Sequence, residues 1–188
     1  LAFHKKHGKL PIAKVIAPAI KIARDGFPVY PQLAEAIDER KDIMRAFAST
    51  PKIFFPKGEP LKTGDALIQT DLARTLQRIA EQGHDGFYKG ETAKLIAAEM
   101  TRGNGLLGLK DLAEYAVKYR EPIRGTYRGH TIYSMPPPSS GGVHIVQMLN
   151  ILSGFDMKAL GFGTVSSTHL LAESMRRAFA DRAKYLGD

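Results

Sequence analysis

The sequence contains no cysteine, which removes disulfide frameworks, thiolate zinc sites, iron–sulfur clusters and cysteine nucleophiles together and leaves the redox compartment undetermined. Nor does it hold an apolar run of the roughly 18 to 20 residues that a helix needs to cross a bilayer, so no membrane span is expected. Its opening, Leu1-Ala2-Phe3-His4-Lys5-Lys6-His7-Gly8, has no Met and no apolar h-region. No signal peptide is expected in this stretch, and the chain reads as a piece of something longer. Internal repeats, low-complexity tracts and collagen or coiled-coil bias are also missing.

What is there suits a soluble globular protein. The 188 residues allow one domain and hardly two at roughly 100 to 200 residues per domain. Apolar residues make up 44%, charged residues 24%, and mean hydropathy is -0.20, so a substantial core is expected. Subtracting 19 acidic from 27 basic residues gives a net charge of +8, and the sequence pI is about 9.7. That balance favours acidic partners or anionic substrates without naming one.

Helical periodicity dominates. Pro11 suits a first helical turn, and Ile12, Val15, Ile16, Ala19, Ile20 and Ala23 follow at three- and four-residue spacing up to Gly26. Pro18 inside this pattern predicts a kink or two short helices. A second stretch carries Leu33, Ile37, Met44 and Phe47, and a loop rich in Pro and Gly follows, with Ile53, Phe54 and Phe55 as anchors. Thr70 is the expected N-cap of a helix stopped in a left-handed conformation by Gly83, and another helix spans about Glu91 to Thr101. A short helix near Leu109 to Ala116 precedes the change of period. Between Pro122 and Met135, Tyr127-Arg128-Gly129-His130 turns between Ile123 and Thr131-Ile132-Tyr133, the best strand or hairpin candidate.

Pro136-Pro137-Pro138 predicts an extended polyproline path into a helix bearing Ile145, Met148, Leu149 and Leu152. A last helix is expected from about Ser166 or Ser167, with Leu171, Met175, Ala178 and Phe179 on one face and Glu173 and Arg177 paired four apart. The expected fold class is therefore mainly α with a small β element.

Few motifs rise above their structural readings. Gly103-Asn104-Gly105-Leu106-Leu107-Gly108 matches G-x-G-x-x-G, but a helix precedes it where dinucleotide binding needs a strand, so it reads as a helix terminus and turn. The six His residues form no H-E-x-x-H pattern, and neither a metal site nor a cofactor is expected. His4 with His7, and His84 with Asp85, read as polar surface features. The basic run through Arg176, Arg177, Arg182 and Lys184 lacks any nucleic-acid signature and is interrupted by acids, so no nucleic-acid partner is expected. Ser139, Ser140, Gly141 and Gly142 enter a helix and form a candidate anion-cradling loop, because helix N-terminal N–H groups hold carboxylate or phosphate. Ser140 reads equally as a plain cap. The loop is neither a P-loop nor a nucleophile elbow.

The block from Tyr133 to Leu152, with Met135-Pro136-Pro137-Pro138-Ser139-Ser140-Gly141-Gly142 at its centre, resembles the γ-glutamyltranspeptidase family. Ala23-Arg24-Asp25-Gly26-Phe27, Phe87-Tyr88-Lys89-Gly90, Asp111-Leu112-Ala113-Glu114-Tyr115, Tyr127-Arg128-Gly129, Ala178-Phe179-Ala180-Asp181-Arg182 and Tyr185-Leu186-Gly187-Asp188 extend the resemblance along nearly the whole chain. It implies the helical lobe of an αββα N-terminal nucleophile hydrolase, a self-cleaving precursor whose exposed Thr attacks a γ-glutamyl amide such as that of glutathione. A weakly nucleophilic hydroxyl needs an adjacent base, here its own α-amine, and oxyanion donors.

By the same resemblance, residues 1–188 match only the later part of the large subunit, as one partial segment without a second domain. The nucleophile and the carboxylate-binding Arg lie outside, so no catalytic residue is expected in this chain, and Ser167-Thr168-His169 is a helix start. The implied partner is the small-subunit portion of the same precursor, and the implied location periplasmic or secreted. Alternatives are an inactive scaffold or ligand-binding fragment, and a related poly-γ-glutamate depolymerase or cephalosporin acylase.

Overall fold

A computed structural model describes residues 1–186. The chain divides into two compact units, the first running from Leu1 to Val117 and the second beginning at Lys118.

The first unit contains α1 (Ala2–His7), α2 (Ile12–Asp25), β1 (Phe27–Pro28), α3 (Pro31–Glu39), α4 (Lys41–Arg45), α5 (Pro51–Phe54), β2 (Ala66–Leu67), α6 (Thr70–Gln82), α7 (Asp85–Tyr88), α8 (Gly90–Arg102) and α9 (Leu109–Glu114). Helix α2 packs on α6, and α7 on both α6 and α8. Ile12, Ile16, Ile20 and Ala23 line the more buried side of α2. Pro18 sits on its exposed side, inside one continuous helix rather than between two. Packing of the apolar stripe outweighs the single hydrogen bond that proline removes.

The core of this unit gathers Val29, Ile37, Phe55, Leu61 and Leu67, flanked by Leu33, Met44, Ile53 and Phe54. The loop anchors expected at residues 53 to 55 thus become core. Backbone bonds lock the segment: Val29 donates to Asp65, Gly64 to Val29, and Gln69 to Ala23. They align β1 with β2 in a two-stranded antiparallel sheet, pairing Phe27 with Leu67. Periodicity does not signal this sheet, because two-residue strands carry no alternation.

Other details also differ from expectation. The second helical stretch is split at Arg40 (φ -107°, ψ 8°) into α3 and α4. Gln69, not Thr70, is the N-cap of α6, and Thr70 is its first helical residue. Gly83 ends α6 at φ 61° and ψ -131°, outside the left-handed helical basin. After α8 the left-handed residue is Asn104 (φ 55°), while Gly103 keeps φ at -95°. Asparagine tolerates that conformation through its short polar side chain.

The second unit holds β3 (Ile123–Tyr127), β4 (His130–Ser134), α10 (Gly141–Leu152), α11 (Met157–Leu160) and α12 (Val165–Tyr185). Strands β3 and β4 form the expected hairpin, in register from Ile123 opposite Ser134 to Tyr127 opposite His130. Arg128 (φ 50°) and Gly129 (φ 81°) make its two-residue turn, both at the positive φ that the right-handed strand twist favours. Helix α10 packs on this hairpin and on α12. The link from β4 to α10 is a turn closed by Ser139 N–H donating to Pro136 O, with a cis Pro137–Pro138 peptide, and not an extended polyproline run.

Helix α12 begins at Val165, just before the expected start, because Thr164 Oγ1 caps it by accepting from Ser167 N–H at 3.2 Å. Glu173 pairs with Arg176, three residues on, and not with Arg177. The fold is mainly helical with two small antiparallel β elements.

Candidate functional site

The loop Ser139–Gly142 sits where β4, α10 and α12 converge, and its polar atoms are tied to α10 and α12. Ser139 Oγ accepts from Gly141 N–H at 3.3 Å. Ser140 occupies the N-cap position of α10 in a helical conformation and makes no side-chain cap bond. Its Oγ accepts instead from Arg182 Nε at 3.1 Å. Its carbonyl accepts from His144 N–H at 3.1 Å and from His144 Nδ1. A fixed guanidinium and a helix N-terminus therefore meet at this loop, a combination that attracts negative charge.

Gly142 allows the loop to close. A Cβ at this position would lie 2.1 Å from Met135 O, so the helix start rests directly on the end of the hairpin. At Gly125 a Cβ would come within 2.7 Å of Val146 Cγ1, so β3 and α10 also touch with nothing between them.

Beneath the loop, His144 is 8% exposed and its Nε2 is buried with no hydrogen-bond partner among the described residues. Ser140 O can only accept, so Nδ1 carries the proton, and in that tautomer of the uncharged ring Nε2 is the acceptor. One turn on, Gln147 Nε2 donates to Asp181 Oδ2 of α12. Neighbouring residues Asp181 and Arg182 thus pin two successive turns of α10. The basic run hides this arrangement in the sequence: Arg182 reads there as surface charge, and only the Ala178–Arg182 match marks the segment. Elsewhere in the run Arg176 pairs with Glu173 and Lys184 Nζ lies 5.0 Å from the Tyr185 ring centre, as a solvated, internally paired face should.

The remaining candidates do not join this cluster. The G-x-G-x-x-G stretch follows α8 and no strand, as its structural reading requires. Ser167, Thr168 and His169 lie in the first turns of α12. His4 Nε2 bonds Leu10 O at 2.7 Å, and His7 packs on Phe3. His84 lies 3.4 Å from Asp85 and stacks on Tyr88, which in turn stacks on Tyr115. Burial, reinforced by Tyr115, pushes the Tyr88 phenol above its ordinary pKa. Lys89 and then His84 hold the Asp85 carboxyl below its own. Among the described residues no three His, Cys, Asp or Glu side chains come close enough to hold a metal ion. No described helix is long and apolar enough to cross a membrane.

Comparison with known proteins places the chain in a family. The gamma-glutamyltranspeptidase family matches residues 1–188. The glutathione hydrolase proenzyme of Escherichia coli K12 is 50% identical over 184 residues, covering 97% of this chain and 32% of that protein. The acylase ACY 1 proenzyme of Pseudomonas sp. SE83 is 44% identical, over 97% of this chain and 33% of the relative. The crystal structure of Helicobacter pylori gamma-glutamyltranspeptidase superposes with a TM-score of 0.95 at 43% identity, covering all of this chain and 54% of the other. The chain spans about a third of the length of the curated relatives it matches. Over its whole length, this chain belongs to the gamma-glutamyltranspeptidase family.

Proposed function

We propose that residues 1–188 are a portion of the large-subunit region of a γ-glutamyltranspeptidase precursor, without a second domain of separate function. The parent enzyme transfers or hydrolyses the γ-glutamyl group of glutathione through a Thr acyl-enzyme. The observation that carries this reading is the 50% identity to a glutathione hydrolase proenzyme across almost the entire chain. In this reading the partner is the small-subunit portion of the same precursor, which brings the nucleophile and its α-amine, and the parent is periplasmic or secreted. No residue of this chain makes or breaks a bond.

The chain's own contribution is placement. Arg182 and His144 hold the Ser139, Ser140, Gly141, Gly142 loop against α10, and the loop is the candidate anion cradle, supported by the guanidinium beside the helix N-terminus. Titration of the parent enzyme with glutamate tests that role. Binding weakened by Ser139 and Ser140 replacements would support it, and unchanged binding would leave the loop a scaffold.

The experiment for the whole reading is expression of the full-length gene with intact-mass analysis and a γ-glutamyl-p-nitroanilide assay on the same preparation. Two polypeptides, the smaller beginning with Thr, together with turnover are expected. An unprocessed chain without turnover would refute the reading, and turnover by residues 1–188 alone would refute the assignment of chemistry elsewhere. Fractionation with the parent's natural leader tests the location. A second reading, an acylase of the same superfamily, is favoured by the 44% identity to the Pseudomonas acylase proenzyme, and a cephalosporin amide in the same assay discriminates it.

A further inference from the structure

The second unit carries a groove of about 600 Å³ between β3, α10 and α12. Ile123, Val146 and Leu186 supply apolar walls, and His144, Gln147, Asn150 and Asp181 are among the polar points. Two features describe what fits it. His144 Nε2 is buried with no partner among the described residues, and leaving such a group unpaired in an apolar setting is costly, so the site suits a ligand that donates a hydrogen bond. Among the described residues no Lys or Arg lines the groove, and the one charged side chain there is the Asp181 carboxylate. Acceptor and carboxylate together disfavour an anion such as a γ-glutamyl substrate, despite the net charge of +8.

Two further facts identify the occupant. Members of this family matched here are about three times as long as the chain, so a precursor carries much polypeptide outside these residues. Tyr185 and Leu186, at and just past the last turn of α12, lie on the groove wall, so polypeptide continuing from α12 starts there. Closing a short loop costs little more entropy than closing a minimal one, and a tethered segment has an effective concentration in the millimolar range.

We propose that this groove seats the stretch of the same precursor that directly follows residue 188, which inserts apolar side chains between α10 and α12 and donates an N–H or O–H to His144 Nε2. The inference rests on the reading of the chain as part of a longer precursor and adds the site of docking, its chemistry and the segment it receives.

The test places a photo-crosslinking p-benzoylphenylalanine at Tyr185, and separately at Asn150 on the same groove, in the full-length precursor, and maps adducts by mass spectrometry. Adducts to peptides within a few tens of residues after position 188 are expected. Adducts confined to residues 118–188, to polypeptide preceding residue 1, to a second copy or to another protein would overturn the proposal. In the same precursor His144→Phe keeps a ring and removes the acceptor. It should lower the crosslink yield at position 185 several-fold, and His144→Gln, which restores an acceptor, should recover part of it. Equal yields for all three would overturn the role given to Nε2. Turnover of γ-glutamyl-p-nitroanilide on these preparations separates the two readings. The expected adducts without processing or turnover would sink the proposed activity alone, and turnover without those adducts would sink the docking alone.

Discussion

Adjacent glycines at the start of α10 should respond to the same substitution with opposite signs. At Gly142 an added Cβ would stand 2.1 Å from Met135 O, far inside van der Waals contact, and the obstacle is backbone that cannot rotate away. At Gly141 the nearest atom would be Ser139 Oγ at 3.5 Å, an ordinary contact. Neither glycine has a positive φ, so alanine meets no backbone penalty at either position. Forcing a methyl group into a packed site costs about 1 to 3 kcal/mol, set against about 0.5 to 1 kcal/mol gained from replacing a helical glycine. Gly142→Ala should therefore destabilise by about 1 to 2 kcal/mol, and Gly141→Ala should be neutral or stabilising by up to about 1 kcal/mol.

Denaturant melts of the parent protein carrying each substitution provide the assay. The separation between the variants should reach about 2 kcal/mol, which for a protein of this size or larger is several degrees in Tm. Equal stabilities, or a larger loss at Gly141, would refute the claim that α10 rests directly on the hairpin end. A loss at Gly142 should also disturb the His144 and Arg182 bonds to Ser140, because both depend on the same helix start.

Further expectations concern caps, turns and charge. Thr164→Ala removes the acceptor for Ser167 N–H and should cost about 1 kcal/mol in a melt, with Thr164→Ser recovering most of it. Arg128→Asn should be neutral or stabilising by up to about 1 kcal/mol, since asparagine tolerates the φ of 50° that arginine adopts there; a clear loss would show that Arg128's bond to Phe155 O matters more. The Asp25 carboxyl, bonded first by Arg24 and then by Lys21, is held well below the usual aspartate range. Its contribution is present above the unfolded pKa and lost as pH falls through the lowered folded value. Carboxyl titration by NMR should find no Asp25 midpoint near the ordinary value of about 3.9. Glu173 should behave the same way through Arg176, and Arg176→Met should return its midpoint toward the ordinary glutamate range.

Helix positions were legible in the sequence because each carries its own periodicity. The stripe Ile12, Ile16, Ile20 and Ala23, the run through α10 and the face of α12 all follow from spacing that a 3.6-residue turn turns into one side. The β3–β4 hairpin was legible for a similar reason: Arg128-Gly129 interrupts β-branched and aromatic residues at a two-residue gap. Boundaries were less legible. Thr70 looks like a cap but enters the helix, whereas Thr164 is the cap, since the choice depends on which backbone N–H the side chain can reach.

The candidate loop at Ser139–Gly142 could be read as residues able to meet an anion, but not as residues already tied to other groups. Serine's acceptors are visible in a sequence; the partners that use them come from elsewhere in the chain. Ser140 meets Arg182, and Gln147 meets Asp181, only because α10 and α12 lie side by side.

By itself, then, the sequence determined the mainly helical class, the hairpin, the absence of thiol chemistry and the family, all properties carried by local pattern or by contiguous motifs. Tertiary structure alone decided that Pro18 stays within one helix, that β1 finds β2, that Gly142 must remain small, and that His144 presents an unpaired nitrogen to a groove. Each depends on segments distant in sequence meeting at van der Waals range. The energy of such a contact resides in the pair, so neither partner's local sequence can express it.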